Sequence, residues 1–260
     1  ACQDGGGALR EAQRQRPGAH GAGRRHNGAG GPAKEGALPY GEPSGGSSHR
    51  MLGDQTRVGQ VPFRRDNRVF PGGEALILSS PLSEETVRSL KIGDLVYVSG
   101  TVVTGRDAVH MRALEYLREG KRTPSELQGS TLYHCGPIIE GGKGEWKAVA
   151  AGPTTSARMN SLAPEMIRRF GIRAVIGKGG MSKEVSEAME EVGCVYLAAT
   201  GGAAVTLANG LSKVTGVEWQ DLGMAEAMWR FEADRLGPLV VAMDAKGNSL
   251  YEEVRKSLVR

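Results

Sequence analysis

Residues 173–197 read RAVIGKGGMSKEVSEAMEEVGCVYL, and this segment predicts the fold class. Its beginning, 173–176, and its end, 194–197, are short apolar runs of the kind that form buried strands. Between them, the apolar residues of 182–192 recur at the spacing of one helix face. A strand, a helix and a second strand in this order predict a parallel βαβ unit and therefore an α/β fold.

The alternation of strands and helices continues on both sides of this segment. Further strands are predicted at 95–98, 101–104, 146–150 and 239–243, with Gly100 separating the first two. Further helices are predicted at 83–90, at 164–170 and directly after Gly201-Gly202. The region 146–213 is expected to form parallel βα units and its flanks antiparallel pairs, which together give a mixed sheet.

The amino-terminal part of the chain has a different composition. Residues 1–50 contain 13 Gly and no Val, Ile, Phe, Met or Trp, so they bury too little apolar surface to offset the entropy of ordering. We therefore predict a disordered Gly/Arg-rich tail and linker over 1–72 and a folded domain over 73–260. The tail is interpreted as a non-functional extension ahead of Met51, with an RNA-binding arm as the alternative. It contains no apolar core of a secretory signal.

Composition excludes several classes of protein. The chain is 39% hydrophobic and 24% charged, and no run approaches the roughly 20 apolar residues of a membrane span, so we expect no membrane association. Of the net charge of +4, the tail carries +3 and residues 51–260 only +1, and aromatic residues make up 5%, so nucleic acid is not an expected partner.

Cys2, Cys135 and Cys194 are odd in number and lie far apart, so a disulfide framework is not expected. We predict that Cys135 and Cys194 are buried, reduced thiols in a cytoplasmic chain that holds no metal of its own.

Candidate ligand-binding loops follow successive strands. Arg106, Lys178 and the segment 152–158, which includes Arg158, all come directly after predicted strands and beside glycines. Ligands of α/β folds bind outside the carboxyl ends of strands, where glycines admit the backbone and helix N-termini favour anions. Three cations with the hydroxyls of 154–156 suit a small dianion, and the spacing leaves a dicarboxylate and a phosphate equally open. His110 and His134 are expected to be structural histidines with satisfied nitrogens.

Six motifs in these loops and further along the chain resemble one known family. They read TGRDAVH (104–110), GPTTSARM (152–159), IGKGGM (176–181), GGAA (201–204), LGMAEAMW (222–229) and DAKGNSL (244–250). In order and spacing they are similar to the β subunit of class I, iron–sulfur-dependent fumarate hydratases, which corresponds to the C-terminal domain of the single-chain enzymes. The related tartrate dehydratase β subunit shares the pattern. The resemblance covers about 73–255.

The resemblance implies a swivelling β/β/α domain that closes over an α subunit in a heterodimer or α2β2 assembly. That partner would hold a [4Fe–4S] cluster, and the implied reaction is the reversible hydration of fumarate to L-malate. Carried over residue by residue, Arg106, Arg158 and Lys178 would bind the substrate carboxylates. Thr154 would be the base for the C3 proton, polarised by an acid from the partner. The alternatives are a β subunit of L(+)-tartrate dehydratase and a non-catalytic anion-binding subunit.

Overall fold

The structure is a computed structural model that describes residues 75–142 and 145–258. Within these ranges the chain forms nine strands, six α-helices and three short 3-10 helices. In chain order the strands and α-helices are β1 (Leu76–Ser80), α1 (Glu84–Ser89), β2 (Leu95–Thr104), α2 (Asp107–Arg118), β3 (Thr131–Tyr133), β4 (Ile138–Glu140), β5 (Lys147–Ala150), α3 (Ala163–Phe170), β6 (Ala174–Gly177), α4 (Lys183–Val192), β7 (Val195–Ala198), α5 (Ala204–Asn209), β8 (Leu211–Glu218), β9 (Met228–Met243) and α6 (Leu250–Leu258).

Seven of the strands form one mixed sheet that closes on itself. Its order is β1-β2-β3-β6-β7-β9-β8, and an additional pairing of β2 with β9 closes a ring of β2, β3, β6, β7 and β9. The pairs β1–β2, β2–β3, β3–β6 and β6–β7 are parallel, whereas β9 is antiparallel to β2, β7 and β8. Closure is possible because β9, with 16 residues, is long enough to pair with three strands.

The predicted βαβ unit is confirmed. Strand β6 lies parallel to β7, with Ala174 opposite Val195, and α4 connects them. Gly193 ends α4 in the left-handed conformation at φ 76°, and Gly171 ends α3 in the same way at φ 58°. The helix at 83–90 is also confirmed, since the Ser83 hydroxyl accepts a hydrogen bond from the backbone N–H of Thr86 and caps α1.

Three features differ from the sequence-based expectation. The strands expected at 95–98 and 101–104 are one continuous strand, β2, which passes through Gly100 at φ +93°. A Cβ at Gly100 would overlap the carbonyl oxygen of Ser80, so this glycine permits the close approach of β1 instead of making a turn. Strand β5 pairs antiparallel with β4 in a separate two-stranded sheet, so its expected place in a parallel unit was wrong. The expected antiparallel flanks are confirmed for β9, which is antiparallel to β2, β7 and β8, but not for β1, which is parallel to β2.

The core lies on both faces of the closed sheet. Helices α2, α3 and α4 pack on one face together with Val175, and the neighbouring Ile176 points into the cluster on the other face. The mixed α/β class is therefore confirmed, and the swivelling motion stays a prediction. The tail and linker predicted for 1–72 lie outside the described residues, and the boundary at residue 73 also stays a prediction. No helix in the described ranges is long and apolar enough to cross a membrane.

Candidate functional site

The predicted site loops meet at one edge of the sheet. Strands β2, β3 and β6 run parallel, so the residues that follow them lie at the same edge. The loop after β5 does not belong to this sheet, yet backbone hydrogen bonds insert it between the others. The Thr154 N–H donates to the His134 carbonyl oxygen at 2.6 Å, and the Lys178 N–H donates to the Thr154 carbonyl oxygen at 3.1 Å. The structure therefore places Thr154 between the loops that follow β3 and β6.

Arg106 occupies the position directly before α2, and a carboxylate from a distant part of the chain holds its side chain. Its Nε lies 3.2 Å from Oε1 of Glu226, and the second oxygen of Glu226 accepts a hydrogen bond from the Ala108 N–H in the first turn of α2, at 3.2 Å. The side chains of Arg106 and Glu226 are only 21% and 26% exposed, so solvent screens this pair weakly. Sequence reasoning assigned no role to Glu226, although it lies inside the LGMAEAMW motif.

Arg158 is held by a second carboxylate at the same helix end. Its Nη2 donates to Oδ2 of Asp107 at 2.6 Å. Asp107 is the first residue of α2, where a negative charge also interacts favourably with the helix dipole. The Arg158 side chain is 50% exposed, so its guanidinium is oriented by Asp107 and still accessible to a ligand. Both predicted arginines are thus anchored around the start of α2.

Lys178 is the third predicted cation, and its environment differs. It follows β6 directly and is half-buried. Its Cδ lies 3.7 Å from the place that a Cβ on Gly201 would occupy, so the aliphatic stem passes close to the Gly201-Gly202 segment. Within the described residues, no carboxylate oxygen lies within 4.0 Å of its Nζ, whereas both arginines are paired.

The Thr154 side chain is half-buried at the same edge. In the part of the chain that the structure describes, its hydroxyl has no hydrogen-bond partner, and the carboxylates of Asp107 and Glu226 at the start of α2 are engaged by the two arginines. An ordinary hydroxyl is a weak base and needs an acidic neighbour to accept a proton. The described residues bring Thr154 to the cations but give it no such neighbour.

A buried polar network borders these loops. The Tyr196 hydroxyl donates to Ser156 Oγ at 3.0 Å, and Ser156 Oγ lies 2.8 Å from His134 Nδ1. His110 Nδ1 lies 2.8 Å from the Arg106 carbonyl oxygen. Burial lowers the pKa of both histidines, that of His134 strongly, so both rings are neutral near pH 7. The expectation that their nitrogens are all satisfied was wrong, because neither Nε2 has a hydrogen-bond partner among the described residues.

The described residues do not fit an iron–sulfur cluster. Clusters are bound by cysteine thiolates, and burial raises the pKa of Cys135 to about 12 and that of Cys194 as well. Both thiols are therefore protonated. Within 75–142 and 145–258, no group of three or more His, Cys, Asp or Glu side chains could hold a metal ion.

The geometry suits a small dicarboxylate or a comparable dianion. The Arg158 side chain pairs with Asp107 in the first turn of α2, and Arg106 directly precedes that helix. A backbone hydrogen bond joins Lys178 to Thr154. Two guanidinium groups can each make two parallel hydrogen bonds to a carboxylate, and a lysine adds a third positive charge. The structure thus brings the four predicted residues together, and the carboxylates of Asp107 and Glu226 are the additions that sequence reasoning missed.

Comparison with known proteins places the chain in a family. Residues 59–254 match the model of the family described as Fumarase C-terminus. The chain is 47% identical over 178 residues to "Putative L(+)-tartrate dehydratase subunit beta" of Methanocaldococcus jannaschii, an alignment that covers 68% of this chain and 91% of that protein. It is 36% identical over 180 residues to "L(+)-tartrate dehydratase subunit beta" of Escherichia coli K12, covering 69% and 88%.

A third relative is "Putative fumarate hydratase class I" of Geobacillus stearothermophilus, which is 42% identical over 183 residues, covering 70% of this chain and 34% of that protein. All three names denote enzymes that add or remove water. The family match spans well over half of the sequence, and the chain belongs to the Fumarase C-terminus family.

Proposed function

We propose that this chain is the β subunit of a hydro-lyase that hydrates fumarate reversibly to L-malate together with a cluster-bearing α subunit. The observation that carries the proposal is the set of three cations and one threonine at a single edge of the sheet, with both arginines oriented by carboxylates of the chain itself. The family and the names of the relatives support the reaction class. The [4Fe–4S] cluster is assigned to the partner, since the two described cysteines, Cys135 and Cys194, are buried and the described residues contain no group of three or more potential metal ligands.

The three cations bind and neutralise the two substrate carboxylates. Removing a proton from the carbon beside a carboxylate builds negative charge in the transition state, and fixed positive charges stabilise that charge. Arg106 is the more buried of the two arginines, with a side chain 21% exposed against 50% for Arg158. Lys178 has no carboxylate partner among the described residues, so substrate binding neutralises it without breaking an ion pair.

Thr154 removes the C3 proton of malate in the dehydration direction and returns it in hydration. Its backbone N–H and carbonyl are both hydrogen-bonded, which fixes its backbone between His134 and Lys178. We assign the acid that polarises this hydroxyl to the α subunit, because Asp107 and Glu226, the two carboxylates that anchor the site arginines, are already paired. Docking of the two subunits therefore completes the base.

L(+)-tartrate is the second candidate substrate, and a specific observation favours it. The chain covers 91% and 88% of two relatives named as tartrate dehydratase β subunits, but 34% of the one named as fumarate hydratase. Malate and tartrate differ by one hydroxyl, which the same cations would tolerate. A third possibility is a non-catalytic anion-binding subunit. The presence of all four residues that match the family's site argues against it.

The test is steady-state kinetics of the complex of this chain with its α partner, prepared without oxygen. We expect kcat/KM for fumarate and L-malate to exceed that for L(+)-tartrate. The reverse order would make L(+)-tartrate the preferred substrate and leave the proposed site residues unchanged. Thr154→Val should abolish turnover with either substrate, whereas Thr155→Val, one residue along on the exposed surface, should not. Equal activity of the two variants would remove Thr154 from the reaction.

A further inference from the structure

The two buried histidines contact residues on separate loops of the site. The His110 ring bonds to the carbonyl oxygen of Arg106, and the backbone carbonyl of His134 accepts the Thr154 N–H. The two rings lie against each other in an edge-to-face arrangement, with centroids 5.2 Å apart. A shift of the His110 ring would therefore move the Arg106 backbone, and a shift of the His134 backbone would move that of Thr154.

Ser156 extends this network to the third loop. Its Oγ lies 2.8 Å from His134 Nδ1, and a Cβ added at Gly177 would overlap that same oxygen. Gly177 precedes Lys178, whose carbonyl oxygen accepts the Ser156 N–H at 3.0 Å. The network of the buried histidines, Ser156 and Tyr196 thus links the three loops that carry Arg106, Thr154 and Lys178, and Arg158 lies two residues beyond Ser156.

Hydrogen-bond chemistry assigns the protons of both rings. A carbonyl oxygen only accepts, so His110 must carry its proton on Nδ1, where it donates to Arg106. Ser156 Oγ already accepts a hydrogen bond from the Tyr196 hydroxyl, and its own proton has His134 Nδ1 as its acceptor among the described residues. His134 Nδ1 is therefore unprotonated, and the proton of this ring lies on Nε2.

These assignments give the two remaining ring nitrogens opposite roles. His134 Nε2 is a donor and His110 Nε2 is an acceptor, and neither has a hydrogen-bond partner among the described residues. Burial lowers the pKa of His110 and outweighs the hydrogen bond to the Arg106 carbonyl oxygen and the charge of Asp107, both of which raise it. Burial and the neighbouring His110 both lower the pKa of His134. Two neutral rings with opposite tautomers follow.

We infer that His110 and His134 are positioning residues that keep the Arg106, Thr154 and Lys178 loops in register, with His110 protonated on Nδ1 and His134 on Nε2. Neither ring touches the substrate. The tautomers rest on the hydrogen bonds alone, whereas the catalytic consequence rests on the proposed function.

The first test is nuclear magnetic resonance of the full chain labelled with ¹⁵N. Long-range proton–nitrogen correlations identify which nitrogen of each imidazole is protonated, and the His110→Asn and His134→Asn variants assign the signals. The expected result at pH 7 is one Nδ1–H ring and one Nε2–H ring, with Ser156→Ala disturbing only the His134 signal. A charged ring, two identical tautomers or rapid exchange between tautomers would overturn the inference. This result does not depend on whether the enzyme is active.

The second test compares His110→Asn with His110→Gln in the complex with the α partner. The Asn amide can replace the Nδ1–H donor to the Arg106 carbonyl oxygen, whereas the longer Gln places its amide elsewhere. We expect Asn to keep KM for the dicarboxylate within about threefold of wild type, and Gln to raise it about tenfold with a smaller change in kcat. Gln has the better helix propensity, so a loss confined to Gln is not a helix effect.

The two tests separate the inference from the proposed function. Equal KM for His110→Asn and His110→Gln in an active complex would refute the positioning role. Opposite tautomers in a complex that turns over neither fumarate nor tartrate would instead refute the proposed function and leave the hydrogen-bond assignment in place.

Discussion

Arg158→Ala should separate a loss of activity from a loss of stability. The Arg158–Asp107 pair is short, at 2.6 Å, but the two side chains are 50% and 30% exposed. Pairs with this exposure contribute about 0–1 kcal/mol to folding. Since 1 kcal/mol shifts the midpoint of a domain of this size by roughly 2–4 °C, we expect Tm to fall by no more than about 4 °C.

The effect on turnover should be far larger. A hydrogen bond to a charged group contributes about 1.5–3 kcal/mol, and without the Arg158 guanidinium the substrate is also positioned less accurately. At about 1.4 kcal/mol per factor of ten, kcat/KM should fall by about 100-fold or more. The assay is fumarate hydration by the anaerobic complex, followed as the loss of the ultraviolet absorbance of fumarate, and kcat/KM is compared with that of the wild type.

Arg168→Ala is the matched control. Arg168 on α3 pairs with Glu191 on α4 at 2.7 Å, with side chains that are 41% and 60% exposed, so it has the same kind of surface ion pair without a place in the site. We expect a similar small change in Tm and normal turnover. Near-normal activity of Arg158→Ala would refute the role of this guanidinium, and an equal loss in both variants would show that the effect is structural.

Three further outcomes follow from the described contacts. Glu226→Gln keeps an acceptor for the start of α2 but removes the charge that orients Arg106, so KM should rise about tenfold in steady-state assays while Tm changes little. The two buried histidines are neutral in the fold and titrate near 6.5 when unfolded, so the unfolded chain binds more protons below that pH. Urea unfolding should then show a stability that decreases on acidification below 6.5, by up to about 1.4 kcal/mol per pH unit for each ring. Gly177→Ala forces a Cβ into Ser156 Oγ and should cost about 1–3 kcal/mol in the same unfolding measurement, whereas Gly142→Ala, where no described atom lies within 4 Å of the new Cβ, should not.

Local patterns were sufficient for much of the fold. The βαβ unit of β6, α4 and β7 was predictable because its apolar spacing and its terminal glycine are all contained within 25 residues. Strand β9 was recognised only at its apolar end, 239–243. Its first half alternates buried residues such as Phe231 with exposed charges such as Glu232, and pairing with β2 and β8 stabilises it. Such pairing leaves little trace in the local sequence.

The candidate site was likewise predictable only where its sequence pattern is local. The cations were predictable because each follows a strand beside glycines, which is a local pattern. Helix α2 was missed because its capping residue, Arg106, makes no side-chain hydrogen bond to the helix. The Ala108 N–H in the first turn of α2 is instead satisfied by Glu226, 118 residues away. The carboxylates that orient the arginines depend on such long-range contacts, which only the folded chain brings together.

The measurement that tests the proposed function most directly is an anaerobic purification of the tagged full chain from its source extract, with iron content and turnover of fumarate and L(+)-tartrate measured before and after removal of any captured partner. We predict that an iron-containing, oxygen-sensitive complex hydrates fumarate, and that the separated chain is inactive. A chain that captures no iron-containing partner and acts on neither substrate would contradict the assignment to a hydro-lyase.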